Sequence, residues 1–153
     1  GLGRYGLGIG AGLKAGGLRV LGVDFSPQAV RYARDDGYDV VFGDATDPEL
    51  LAHLPLRSAR WLVLAVPEHD TGISHDDPRK ALLRAARDLG FSGKVAVAAH
   101  SELTAARLNS AHADLVLMPY RDAAVAAARM IMSGSEVPRP AVEDPLGQKE
   151  LTS

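Results

Sequence analysis

Apolar positions along the chain gather into short runs, and between the runs they recur with helical spacing. Residues 18–24 (LRVLGVD), 39–42 (DVVF), 60–66 (RWLVLAV), 94–99 (KVAVAA) and 114–118 (DLVLM) have strand length and strand composition. Residues 60–66 are apolar almost throughout, which predicts burial on both faces, as a parallel sheet requires. The intervening stretches predict helices. Ser26-Pro27 supplies a cap and a first-turn proline to a helix that turns Ala29, Val30 and Ala33 to one side and ends at Gly37. Thr46 and Glu49 have capping-box spacing ahead of Leu50, Leu51 and Leu54. Asp77-Pro78 opens a helix with Ala81, Leu82, Ala85, Ala86 and Leu89 inward, closed by Gly90; residues 101–111 and the alanine-rich 123–132 follow.

Strand and helix alternate with short connections, the pattern of an α/β, Rossmann-like, doubly wound parallel sheet. Residues 1–132 form that domain. Residues 133–153 carry Gly, Ser and Pro with little apolar content, and are expected to be a disordered tail. In such a sheet the ligand lies at the carboxyl ends of the strands, near the point where strand order reverses. The residues at those ends are Asp24, Asp44, Ala65 and Val66, and Ala99 and His100.

Residues 1–6 (GLGRYG) supply the chemistry. They read GxGxxG, with Gly1 for the turn, Gly3 for close approach of backbone to a pyrophosphate, and Gly6 for packing helix on sheet. The start of the following helix offers free N–H groups and a partial positive charge. Asp24, ending the next strand, is placed to accept from ribose hydroxyls. The helix itself, 4–15, has poor propensity: Gly6, Gly8, Gly10 and Gly12 each cost about 1 kcal/mol relative to alanine. Leu7, Ile9, Ala11 and Leu13 also alternate, so a strand competes there, and the motif decides for the helix. The motif ordinarily follows a strand. The sheet read from this chain lacks its first strand, as in a fragment cut just inside the domain.

Composition narrows the function further. Seventeen basic against nineteen acidic residues give a net charge of −2, with no basic excess for nucleic acid or an anionic membrane. The absence of cysteine excludes disulfides, thiol catalysis and cysteine-bound zinc. No run approaches the roughly 20 apolar residues of a membrane span.

Taken together, GLGRYG, VLGVD with Pro27 three residues on, GDATDPELL, WLVLAV and ARLNSAHADLVLMPY resemble the TrkA-N or RCK domains that regulate potassium channels and transporters. The nearest likeness is to the cytoplasmic domain of Kef-type cation/proton antiporters, over residues 1–132. This resemblance implies a binding domain for NAD(H) or another adenine nucleotide (ATP, ADP or AMP), with no enzymatic turnover. The phosphates would lie on Gly1, Gly3 and Gly6, with Arg4 neutralising one and Tyr5 beside them. Asp24 and Phe25 would serve the ribose side, Asp44 and Ala45 the adenine, and Ala65, Val66 and His100 the rest of the cleft. It implies a homodimer attached to the membrane domain of a potassium channel or cation/proton antiporter, in the cytoplasm beneath an inner membrane. The chain departs from the family at His112, where a glycine is usual, and in the loop 67–77, which replaces an asparagine-bearing helix start.

Two other readings compete. One is a fragment of an NAD-dependent oxidoreductase; against it, none of the four tyrosines begins a Tyr-x-x-x-Lys pair. The other is an interaction module that has lost its ligand. His69, Asp70, His75, Asp76 and Asp77 crowd one loop without zinc spacing and read as solvated. Lys80, Arg84 and Arg87 read as an exposed helix face, and His100 as a ligand contact rather than a catalyst.

Overall fold

A computed structural model of the chain describes residues 1–66, 78–109 and 113–134. Its elements run α1 (Arg4–Ala15), β1 (Leu21–Asp24), α2 (Pro27–Asp35), β2 (Asp39–Phe42), α3 (Pro48–His53), β3 (Trp61–Leu64), α4 (Pro78–Asp88), β4 (Lys94–Ala98), α5 (Glu102–Asn109), β5 (Leu115–Leu117) and α6 (Pro119–Ser133). A short 3₁₀ turn, Leu56–Ser58, precedes β3. Every ladder among the described residues is parallel, and the fold is α/β, as the alternation predicts. Loop 67–77, His112 and the tail beyond 134 lie outside the described residues.

The strands form two ladders, β1–β2 and β3–β4–β5. Gly1 and Leu2 reach both. Leu2 packs over Gly22 of β1, while Gly1 lies against Ala65 and Val66 just past β3. The facing edges of β1 and β3 therefore flank one slot, with the glycine loop across its carboxyl end. The main core belongs to the second ladder. It joins Leu51, Leu64, Leu82, Val97 and Leu108 from α3, β3, α4, β4 and α5 with Phe91 from the turn after α4. The first ladder rests on a smaller set, Leu2, Val30 and Ala33.

Several boundaries move for local reasons. The strand expected over 18–24 begins only at Leu21. Gly17 takes φ +81°, and Leu18 N–H donates to Leu13 O, so Leu18 belongs to the C-terminal closure of α1. Burial on both faces is found at β4 and not at β3. Residues 95–98 are all buried, whereas Trp61 of β3 is exposed and only Leu64 is fully covered. The cause is position, because among the described residues β4 has a ladder neighbour on either side and β3 has one. The capping box at Thr46 does not form; Asp47 caps α3 through Glu49 N–H, with Pro48 in the first turn. In α4, Leu82, Leu83 and Ala86 are buried and Ala81 is not. Gly37 and Gly90 stand where α2 and α4 end, both with positive φ.

Contacts divide the chain into two units, Gly1–Tyr120 and Arg121–Ser153. Helix α6 is amphipathic in composition, yet none of its residues is buried. Ile131 and Met132 are about four-fifths exposed, at 80% and 78%. Among the described residues no helix is long and apolar enough to cross a membrane.

Candidate nucleotide-binding site

The three glycines of the opening motif meet three different surroundings. A Cβ on Gly6 would collide with the carbonyl oxygen of Gly1, so α1 can approach the loop only without a side chain there. A Cβ on Gly1 would lie 3.0 Å from Val66 Cγ1. Gly3 has nothing within 4 Å of that position and opens outward. It is also the N-cap of α1, with no side-chain cap on the first-turn N–H groups. An unfilled cap with open space before it is what a phosphate needs, since oxygen lone pairs can take the donors that a serine or aspartate would otherwise take. Arg4 stands exposed on the first turn, and Tyr5 is half-buried beside it. The loop thus fits a pyrophosphate.

Asp24 is drawn into the same place. Its Oδ2 accepts from Leu2 N–H at 2.6 Å and its Oδ1 from Ser26 N–H at 2.8 Å. Ser26 in turn caps α2, its hydroxyl accepting from Ala29 N–H at 3.3 Å. A carboxylate has about four acceptor positions, so two remain for ribose hydroxyls. Phe25 follows with two-thirds of its surface exposed, 66%.

β2 brings the second carboxylate alongside. Asp24 and Phe42 are register partners, and Gly43 N–H donates to Asp24 O, so Asp44 and Ala45 leave the sheet next to the end of β1. Asp44 is exposed; its Oδ1 accepts from Thr46 N–H at 2.8 Å and from the Thr46 hydroxyl at 2.7 Å. These bonds, the backbone one first, hold its carboxyl below the usual aspartate value. A depressed carboxylate contributes its stabilisation above the unfolded pKa and loses it as pH falls through the folded one. The contribution is therefore complete at neutral pH and disappears only below the ordinary 3.8. Thr46→Val removes the hydroxyl and keeps the N–H. Carboxyl NMR titration should show the Asp44 pKa rising part of the way back to its ordinary value; an unchanged or lower value would contradict the arrangement.

Ala65 and Val66, just past β3, form the wall behind Gly1 and Gly6. His100 lies beyond β4, exposed, its ring 6.0 Å from that of Tyr120 at the start of α6. The structure thus joins Gly1, Gly3, Gly6, Asp24, Ala65 and Val66 directly, with Asp44 and Ala45 adjoining through Gly43. His100 packs with Tyr120, which the sequence reading did not single out. Nor did it single out Leu2, whose contribution is a backbone N–H, or Arg79, which is buried and donates to Ala98 O at 2.9 Å. Of the basic stripe, Arg84 is exposed, Lys80 is half-buried, and Arg87 closes the end of α4 by donating to Phe91 O and Gly93 O. Among the described residues no cluster of His, Asp or Glu could hold a metal ion.

A family model described as the TrkA-N domain matches residues 1–119. The NAD(P)-binding domain of an exopolyphosphatase-related protein from Archaeoglobus fulgidus superposes with a TM-score of 0.70 at 24% identity, covering 87% of this chain and 94% of that one. The TrkA-N domain of the inner membrane protein YbaL from Escherichia coli gives 0.67 at 25% identity, over 89% and 93%. The GsuK channel bound to NAD gives 0.57 at 20% identity, over 71% of this chain and 18% of that chain. No curated protein matches the sequence.

Proposed function

The chain belongs to the TrkA-N domain family, and from that premise we propose that it is a regulatory domain that binds NAD(H) or another adenine nucleotide and controls a potassium channel or a cation/proton antiporter. One observation carries the reading. The uncapped, open start of α1 and the carboxylate of Asp24 meet at a single hydrogen bond, and there phosphate donors and a ribose acceptor would stand side by side. Arg4 would neutralise a phosphate oxygen, and Asp24 would accept from the 2′-hydroxyl. Asp44, ionised, would accept from the exocyclic amine of adenine. GsuK, a channel of the same fold, is known with NAD and with ADP bound, which supports a nucleotide of this class. YbaL, an inner membrane protein, supports a cytoplasmic place beneath a membrane partner. The nucleotide would act through its differential affinity for two arrangements of a dimer and would not be turned over. The uncovered apolar residues of α6 suit a second copy.

Calorimetry tests the reading. NADH should bind at least about tenfold more tightly than NADPH, because Asp24 repels a 2′-phosphate and no arginine stands beside it in residues 23–28. Equal or tighter NADPH binding would overturn that preference, and no binding of either nucleotide, nor of ATP, ADP or AMP, would overturn the function. The oxidoreductase reading would be restored by steady NADH oxidation with a small carbonyl compound that a Gly3 variant loses. In sedimentation velocity the same samples should run as a dimer that Ile131→Glu dissociates. A monomeric parent would remove the second copy.

A further inference from the structure

We infer that Asp24 has a second task, distinct from ribose recognition: it is the positioning residue that holds the phosphate loop in its binding shape before any ligand arrives. Gly3 caps α1 without a side chain, and the glycine on either side of Leu2 offers no side chain either. Among the described residues, the Asp24 carboxylate is the one side chain that hydrogen-bonds to the backbone of residues 1–3. The bond to Leu2 N–H is short, 2.6 Å, and charge-assisted. Leu2 itself is buried at 7% exposure, its side chain lying where a Cβ on Gly22 would be. The loop is therefore pinned to β1 twice, by an apolar contact at Gly22 and a polar one at Asp24.

The other oxygen of Asp24 takes Ser26 N–H at the start of α2. One carboxylate thus ties the loop ahead of α1, the end of β1 and the cap of α2. Placing phosphate donors in advance avoids an ordering cost at the moment of binding. Loss of the tie should therefore weaken every ligand that uses the loop, including one with no ribose hydroxyl for Asp24 to meet.

This inference rests on the nucleotide reading, and the experiment separates the two. Asp24→Asn keeps size and shape but replaces one acceptor oxygen with a donor, so the Leu2 and Ser26 N–H groups cannot both be satisfied. ADP and 2′,3′-dideoxy-ADP are titrated against the parent chain and the variant. If Asp24 only reads ribose, the variant weakens ADP and leaves dideoxy-ADP unchanged, and the inference falls. If it also positions the loop, dideoxy-ADP loses about tenfold or more as well. A second readout needs no ligand. In the free protein the Leu2 amide should exchange with solvent at least about tenfold faster in Asp24→Asn, while the β4 amides exchange as in the parent. An unchanged Leu2 amide overturns the tether. A parent chain that binds neither nucleotide overturns the functional reading, and the exchange result still decides the tether. Asp24→Glu, which retains both acceptors on a longer arm, should recover part of the dideoxy-ADP affinity; no recovery, together with uniformly faster exchange, would mean general destabilisation instead.

Discussion

Gly6→Ala should abolish measurable nucleotide binding and lower the melting temperature, whereas Gly3→Ala should impair binding with little loss of stability. The two glycines share a residue type and a motif and differ in their surroundings. A methyl group on Gly6 meets the carbonyl oxygen of Gly1, a backbone atom that cannot swing aside. Either α1 tilts away from β3 or the loop is displaced from Asp24. Overpacking of this kind costs about 1–3 kcal/mol, a melting shift of up to roughly 10 °C in a chain of this size. A methyl group on Gly3 meets nothing. Its effect falls on whatever approaches from outside, and a pyrophosphate held by backbone N–H groups leaves no room for it. Thermal melts and calorimetry on both variants check the pair. Gly6→Ala melting with the parent, or Gly3→Ala binding as the parent does, would remove the loop geometry from the argument.

The second large effect concerns the slot between β1 and β3. Among the described residues each of those strands has a ladder neighbour on one side only, β2 and β4 respectively, and Gly1–Leu2 spans the carboxyl end of the slot. Two facing parallel edges can offer their backbone N–H and C=O groups to a strand laid between them. A strand of about six residues, rich in valine and isoleucine and joined directly ahead of Gly1, would lie parallel to both neighbours and run into the glycine loop. It should raise the melting temperature by about 10 °C or more and tighten nucleotide binding, since the loop would gain a rigid approach. The same extension with proline at alternate positions cannot donate to either ladder and should do neither. Equal melts for the two extensions would show that the slot takes no strand.

How much of this could be read in advance depends on whether a residue acts through its own side chain or through its neighbours. Gly6 and Asp24 were legible, because one acts by lacking a Cβ and the other by carrying a carboxylate at a strand end. Leu2 was not. It contributes an N–H that any residue but proline possesses, and its burial follows from the absence of a Cβ on Gly22, twenty positions later. Residues 60–66 read as buried on both faces, yet β4 is the covered strand. Composition reports a tolerance for burial, whereas the number of ladder neighbours decides it. The start of β1 was misplaced because Leu18 reads as strand by side chain and as helix closure by the positive φ of Gly17. Thr46 and Glu49 had the spacing of a capping box, but Asp47 followed by Pro48 competes one residue later and caps α3. Arg79 shares a helix with exposed basic residues, and nothing in its identity distinguishes it as the buried one.

The parallel register has a consequence for how the chain reaches this state. Leu21 pairs with Asp39, Trp61 with Lys94 and Ala96 with Leu115, so no described strand can find its partner across a tight turn. Each ladder must wait for an entire crossover helix to form or be spanned, and loop-closure entropy opposes the pairing until it is nearly complete. Nucleation by hairpin is closed to this topology. The β1–β2 ladder involves no residue beyond 42 and can assemble early in synthesis, while the β3–β4 ladder cannot begin until residue 94 has been added. The half of the chain that carries the glycine loop is thus the first to acquire its topology, and the half that holds most of the core is the last.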